Sequence, residues 1–384
     1  MNKFFLLIFS LLFSNLFAQT AEQNLLYIVD SIHILDRPQE QISQLHPEYI
    51  NNIAVVKDKQ MKEQEGYDNV DGILYVFTKA YVQRADSLKQ IPSTKNMILN
   101  DGKWYLRNHD QAYTGRFIDY YITGQKQGEG YLQQGKVNGK RMMYYKNGGI
   151  SDIVHYKNAV LNGEEKRFYE NGTLLQKGNF TNGVKTGIWE MYHINGVLKQ
   201  KSNFNTNGNL EGESISFYST GKQKAKVNYK DGAYQKDQKI DETFALYNEG
   251  QELYSQSKFK AAIKKYSEAL KIDNNWAEGY FARATAKVNN LDFDEAIEDY
   301  NKAIVIEPLY TEAYANRAFA SIGKHENNNS RKLSDSKEMT VQLAKNTKLP
   351  VASAKKVCSD LNKAIELGDD NLMVFEALEQ YCKN

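Results

Sequence analysis

Reactive side chains are scarce in this chain. Its 384 residues include two cysteines, and the six histidines, His33, His46, His109, His155, His193 and His325, are scattered through different segments. No His-x-x-x-His, Cys-x-x-Cys, glycine-rich phosphate loop or serine elbow occurs, so the common signatures of metal, redox, nucleotide and acyl-transfer chemistry are missing. The expectation is a protein that is not an enzyme and needs no cofactor or metal. An acidic run, Asp292, Asp294, Glu295, Glu298 and Asp299, reads as a solvated helix surface rather than an acid–base pair. Charge of either sign is not in excess. The 49 Lys and Arg against 47 Asp and Glu leave a formal +2, which gives no reason to expect nucleic acid or anionic lipid as a partner. Long apolar runs are also lacking: a bilayer span takes about 20 apolar residues, and no segment expected in the mature chain supplies them.

The N-terminus reads as an export signal. Lys3 gives a positive start, Phe4 to Phe13 is apolar except for Ser10, and Ala18 is a small residue suited to cleavage before Gln19. Residues 1–18 are therefore expected to be removed. The mature chain is expected to be exported, either periplasmic or extracellular at the cell envelope. That setting permits a disulfide. Cys358 lies early in one expected helix and Cys382 late in the next, with a break at Gly368-Asp369-Asp370. An antiparallel helical hairpin would bring them together, and the bridge would contribute roughly 3 kcal/mol, mainly through the unfolded state. Two free, buried thiols are the alternative.

Periodicity is what the chain has in abundance. Gly115, Gly139, Gly163, Gly187 and Gly212 recur at intervals of 24, 24, 24 and 25 residues. Each is followed five positions on by an aromatic residue, Tyr120, Tyr144, Phe168, Tyr192 or Phe217. Nine positions on comes a second glycine, Gly124, Gly148, Gly172, Gly196 or Gly221. Eight residues further lies another aromatic, Tyr156, Phe180, Phe204 or Tyr229, with Leu132 in the first unit. Asn147-Gly148, Asn171-Gly172 and Asn195-Gly196 read as tight turns in which both residues tolerate positive φ. A strand–turn–strand unit repeated five times predicts an antiparallel β-meander over 103–238, with the aromatics on one face and charged residues on the other. Those aromatics either pack the sheet or form a stacking surface for glycan or protein.

The phrases Tyr144-Tyr145-Lys146-Asn147-Gly148 and Phe168-Tyr169-Glu170-Asn171-Gly172 resemble MORN repeats, in the variant typical of bacterial YwqK-type antitoxins. MORN arrays occur in membrane-associated, scaffolding and toxin-linked proteins, so the resemblance implies a fold more than a function.

From Thr243 the period becomes 34. Residues 243–276 and 277–310 align without a gap, pairing Gly250 with Ala284, Ala262 with Ala296, Tyr266 with Tyr300 and Ala269 with Ala303. Small residues at this spacing let antiparallel helices approach closely, and Pro308 stops a helix. With the Ile-Glu-Pro exit, the unit resembles a tetratricopeptide (TPR) repeat. A third unit starts at Thr311 and carries Ala318, then resumes at Val357 to Leu367 with Ala364. About 27 residues, roughly 325–353, are inserted between its helices and read as a solvated loop or a basic contact arm. The resemblance places Tyr247, Gln251, Tyr254, Phe281, Thr285, Asn289 and Phe319 in an inner groove suited to an extended peptide. Tyr247 and Gln251 stand where chaperone-tail binders carry a lysine–asparagine carboxylate clamp, so a peptide is not expected to be read by its carboxylate.

Residues 22–90 alternate apolar stretches with polar turns. Strands are predicted at Leu25–Asp30, Ile53–Asp58 and Gly72–Lys79, with a helix start near Pro47. Tyr27 to Asp30, Pro47 to Ile50, Val55 to Asp58 and Gly72 to Lys79 resemble the plug domain of TonB-dependent receptors. No barrel follows, and Ser31 replaces the usual glycine, so a free-standing plug-like adaptor module is the most this implies; a generic α+β domain is the alternative. The expected fold class is multidomain α+β: a small α+β N-terminal module, an antiparallel β-meander of MORN-type repeats, and an α-helical TPR array over 243–384. The expected function is an exported scaffold for protein–protein interaction at the envelope, with a protein or peptide ligand. Binding of cell-wall glycan or peptidoglycan by the aromatic β-repeats, and a YwqK-like antitoxin or immunity role, follow in that order.

Overall fold

The computed structural model describes residues 25–34, 38–57, 70–333 and 348–382. The expected signal segment 1–18 and residues 334–347 of the inserted segment lie outside them. Two compact units divide the chain, one of Met1–Trp189 with Thr206–Gly208, the other of Glu190–Asn205 with Asn209–Asn384.

The first unit opens with strands β1 (Leu25–Val29), β2 (Ile32–Ile34), β3 (Ile50–Val56) and β4 (Gly72–Thr78), in the order β2-β1-β4-β3 with β1 and β4 parallel. The central pair is covered on both faces, which explains its nearly unbroken apolar sequence. Tyr27, Val29, Leu74 and Val76 pack with Ile42, Leu45 and Ile50 on one side, while Leu26, Ile28 and Ile73 cluster on the other. Pro47 begins a single 3-10 turn, Pro47–Tyr49. Asp30 and Ser31 take positive φ, 51° and 69°, in the tight turn from β1 to β2. The buried Asp30 carboxylate accepts from Thr78 N at 2.7 Å and Thr78 Oγ1 at 2.5 Å, and burial pushes its pKa up.

A hairpin of β5 (Ile98–Asn100) and β6 (Lys103–Tyr105) precedes the strand repeats. In the first unit these are β7 (Gly115–Tyr120), β8 (Lys126–Gln133), β9 (Lys136–Val137), β10 (Gly139–Tyr144), β11 (Ile150–Lys157), β12 (Val160–Phe168) and β13 (Leu174–Thr181). All pairings along this path are antiparallel, with β9 set on β8. Strand β14 (Val184–Tyr192) spans the division between units. The second unit continues with β15 (Leu198–Phe204), β16 (Gly212–Phe217), β17 (Gln223–Lys230) and β18 (Ala233–Gln235).

Register explains the repeat. The opening glycine faces the second-strand position: Gly115 opposite Leu132, Gly139 opposite Tyr156, Gly163 opposite Phe180 and Gly212 opposite Tyr229. Two expectations are corrected here. The aromatics do not share one face. Paired residues lie on the same face and neighbours alternate, so Tyr156, level with Gly139, and Tyr144, five residues beyond that glycine, fall on opposite faces. The Asn-Gly turns are also not two-residue turns. Gly148 N donates to Tyr145 O at 2.9 Å, Asn147 Oδ1 accepts from Gly149 N, and the positive φ (86°) falls on Gly148 alone. This is a type I turn with glycine at the bulge, which needs one left-handed residue where a primed turn needs two. Two-residue turns lie at the other end of four of the five units, at Gln134-Gly135, Asn158-Ala159, Asn182-Gly183 and Asp231-Gly232, where both residues have positive φ.

The helical array comprises α1 (Gln238–Ser255), α2 (Phe259–Ile272), α3 (Ala277–Asn289), α4 (Phe293–Ile306), α5 (Thr311–Leu333), α6 (Val351–Glu366) and α7 (Leu372–Cys382). The aligned small residues sit at the seams. Ala262, Ala269, Ala284, Ala296, Ala303, Ala318 and Ala364 are fully buried, and a methyl added at Gly250 would come 2.5 Å from the Tyr266 ring. Helix α5 continues to Leu333, so the inserted segment begins as an extension of that helix rather than as a loop at 325. Cys358 and Cys382 are joined, with S–S 2.00 Å and Cα atoms 5.7 Å apart, tying α7 to α6.

Candidate peptide-binding groove

Tyr247, Gln251 and Tyr254 come from α1, Phe281, Thr285 and Asn289 from α3, and Phe319 from α5. Their aromatic rings are half-buried in the seams between helices rather than standing free. Tyr247 lies 4.9 Å from the Trp276 ring and 5.5 Å from that of Tyr266. Phe281 lies 4.9 Å from Tyr310 and 5.6 Å from Tyr300, while Tyr254 meets Phe259 at 5.6 Å. Phe319 packs on a separate cluster with Ala315, Ile322, Val357 and Leu361.

The polar members are organised by the phenols. Gln251 Nε2 donates to Tyr247 Oη at 2.7 Å. Asn289 Nδ2 donates to Tyr254 Oη at 3.0 Å and to Thr285 O at 2.9 Å, linking α3 to α1. Thr285 Oγ1 donates to Phe281 O and lies 3.1 Å from Tyr300 Oη. Burial pushes the Tyr300 hydroxyl up to about 12. Gln251 and Asn289 are exposed. With both amide hydrogens used internally, Asn289 is left with a carbonyl oxygen to offer a ligand N–H.

Each helical unit is braced by an ion pair that sequence reading missed. Arg283 binds Asp299 through Nε and Nη2 at 2.7 and 2.8 Å, and Lys287 reaches the same carboxylate at 2.7 Å. Asp299 is 1% exposed, which corrects its reading as part of a solvated acidic face; only a cation pair holds a carboxylate there. Arg317 repeats the fork on Asp360 at 2.8 and 2.5 Å. The third arginine hydrogen-bonding nitrogen goes to Ser267 in one unit and Asn301 in the next. In the first unit the same positions hold Glu249 and Lys265, paired at 2.6 Å with the charges exchanged. The 34-residue spacing of Glu249, Arg283 and Arg317 was the available signal.

A second ladder runs through the strand repeats. Tyr121 Oη donates to Tyr144 O at 2.7 Å, and Tyr145 Oη to Phe168 O at 2.6 Å. In the second unit His193 Nε2 donates to Phe217 O at 2.9 Å. Each donor thus binds the backbone of the following repeat. At the start, where no repeat precedes, Lys95 Nζ donates to Tyr120 O at 2.5 Å. That lysine also borders a cavity of about 300 Å³ lined by Asp30, Tyr121, Ile32 and Ile34. At the end, Tyr218 has no following repeat. Its hydroxyl accepts from Ala277 N at 3.0 Å and donates to Glu278 at 3.3 Å. Burial, then the Glu278 charge, push its pKa well up. Ser219 N donates to Glu307 at 2.9 Å, its hydroxyl binds the same carboxylate, and Thr220 Oγ1 reaches Ile306 O at 3.3 Å.

Comparison with known proteins agrees with both periods. Residues 250–290 match the TPR repeat, and residues 137–158, 161–182, 185–206 and 210–231 match the MORN repeat variant. No curated protein matches the chain significantly. Among solved structures it is similar to the Arabidopsis OM64 TPR domain, at 20% identity over 37% of this chain and 94% of that one, with a TM-score of 0.28. The TPR2B-domain:pHsp70 complex of yeast Sti1 gives 24% identity over 37% and 94%, with a TM-score of 0.28. The second TPR domain of human RPAP3, in complex with the HSP70 peptide SGPTIEEVD, gives 17% over 38% and 99%, with 0.29. Neither the plug-domain nor the YwqK-type resemblance has a counterpart among these matches. Among the described residues no group of His, Cys, Asp and Glu is placed to hold a metal ion, and no helix is long and apolar enough to cross a membrane.

Proposed function

We propose that this chain is a non-catalytic interaction scaffold that holds an extended peptide or protein segment along α1 and α3 of its helical array. The observation that carries this reading is the Asn289 amide. Two internal hydrogen bonds fix its orientation, so its exposed oxygen is preorganised to accept a backbone N–H without first losing side-chain freedom. Gln251 keeps one N–H and its oxygen for the next peptide group. The half-buried rings flanking them provide apolar seats for alternate ligand side chains. A protein exported through the signal-like segment 1–18, with Cys358 and Cys382 joined, would carry out this role at the cell envelope.

The test is selection of random peptides on the full chain, followed by affinity measurement with Asn289→Ala and Gln251→Ala. Those substitutions leave the seam aromatics in place, and each is expected to weaken selected peptides by about tenfold. Failure to enrich any peptide, together with retention on purified peptidoglycan, would replace this reading by the glycan-binding one. Mass spectrometry of the native protein, expected to begin at Gln19, checks the export half of the proposal.

A further inference from the structure

The helical array stands where a sixth strand repeat would stand. In the strand ladder, Tyr121, Tyr145 and His193, each the residue after a turn-side aromatic, bind the backbone of the following unit. Tyr218 occupies that phase in the last unit, and its hydroxyl meets the first residue of α3. Helix α3 has no side-chain cap of its own: its N-cap is Trp276, which makes no capping hydrogen bond. Helix starts leave N–H groups that need partners, and Tyr218 supplies one to Ala277 N. The α4 end is held in the same way, because Glu307, the residue that caps α4, spends its carboxylate on Ser219. Asn275 Nδ2 donates to Gln223 O at 3.0 Å, and Lys224 pairs with Glu278. One hairpin therefore terminates both helices of the second helical unit.

We propose that Tyr218 is a positioning residue for the groove: through Ala277 and Glu278 it sets the start of α3, so the helix carrying Phe281, Thr285 and Asn289 keeps its place only while the last strand hairpin is folded. The groove assignment rests on the function proposed above; the mechanical coupling does not. Tyr218 is about 1% exposed and Ala277 is fully buried, so removing the hydroxyl strands the Ala277 N–H with no water to replace it, while Glu278 keeps Lys224 as a partner. The coupling runs both ways, since loosening the start of α3 takes the Ala277 and Glu278 contacts from the Tyr218 hydroxyl.

Hydrogen–deuterium exchange on the full chain tests this with Tyr218→Phe, which keeps the ring and its packing. Exchange is expected to rise about tenfold in 276–281 as well as in 212–223, and to stay unchanged in 357–367. Glu278→Gln keeps an oxygen for the phenol and is expected to retain protection, and Lys224→Ala, at the exposed rim, should change little. A rise confined to 212–223 would overturn the coupling, as would equal loosening by all three variants. If Tyr218→Phe loosens 276–281 but selected peptides bind as before, the coupling stands and the groove assignment falls.

Discussion

The two arrays solve the same problem, joining one repeat to the next, with different chemistry. In the strand array the donor is a side chain and the acceptor a backbone carbonyl, as for Tyr121 on Tyr144 O and Tyr145 on Phe168 O. Any residue can occupy the accepting position, and the ladder accepts a histidine donor at 193. In the helical array the brace joins two side chains, Arg283 to Asp299 and Arg317 to Asp360. Changing one end there demands a matching change at the other, which the Glu249–Lys265 exchange illustrates. Backbone-directed contacts tolerate drift at one site; paired contacts preserve themselves by changing together.

Breaking a buried brace is the sharpest test of this contrast. Asp299→Ala would leave Arg283 and Lys287 facing each other without a counter-charge, and is expected to lower stability by about 3–5 kcal/mol in urea titration. Lys265→Ala, in the exposed first-unit pair, should leave the midpoint unchanged. A similar loss from both would mean that burial does not distinguish the units. Next in size is Gly178→Ala, whose methyl would strike the Trp189 ring; overpacking of that kind costs about 1–3 kcal/mol, and Trp189 fluorescence should shift as the ring is displaced.

Alkali should weaken the helical array through its buried phenols. The Tyr300 hydroxyl has an ordinary value of 10.0 and is held at about 12 in the folded chain. A raised folded pKa contributes stability that is complete below pH 10 and is lost as pH climbs through about 12. Tyr300→Phe should flatten that part of the stability profile, and an unchanged slope would assign it to other groups. The smallest effect is a gain. Ala159 sits at φ +68° in a two-residue turn where the equivalent positions 135, 183 and 232 are glycine. Ala159→Gly is expected to stabilise by about 0.5 kcal/mol, the left-handed penalty of alanine less the backbone entropy of glycine. A loss of stability would show that the methyl packs.

Much of this was legible because it is periodic. The glycine spacing announced the strand units, and the Gly250, Ala262, Tyr266 and Ala269 set announced the helical seams. What stayed hidden depends on three-dimensional phase. Whether Tyr144 and Tyr156 share a face follows from register, which the turn type controls and the Asn-Gly dipeptide alone leaves open. Asp299 looked like its acidic neighbours because charge along a helix does not reveal which side faces α3. Tyr218 was invisible as a cap, since its role differs from that of Tyr145 only in what comes next. The residues assigned by resemblance to a groove lie on α1, α3 and α5, where their rings pack in the seams and the amides of Gln251 and Asn289 are exposed.

The ladder's two ends have a consequence for how such a chain can change length. Lys95 closes the start on Tyr120 O, and Ala277 with Glu278 closes the finish on Tyr218. Neither terminator touches an internal repeat, so copying or deleting residues 139–162 would leave both closures intact. Each such edit changes the sheet by two strands, about 10 Å of width. The number of repeats is thus free to change by unequal recombination while the two end fittings stay the same.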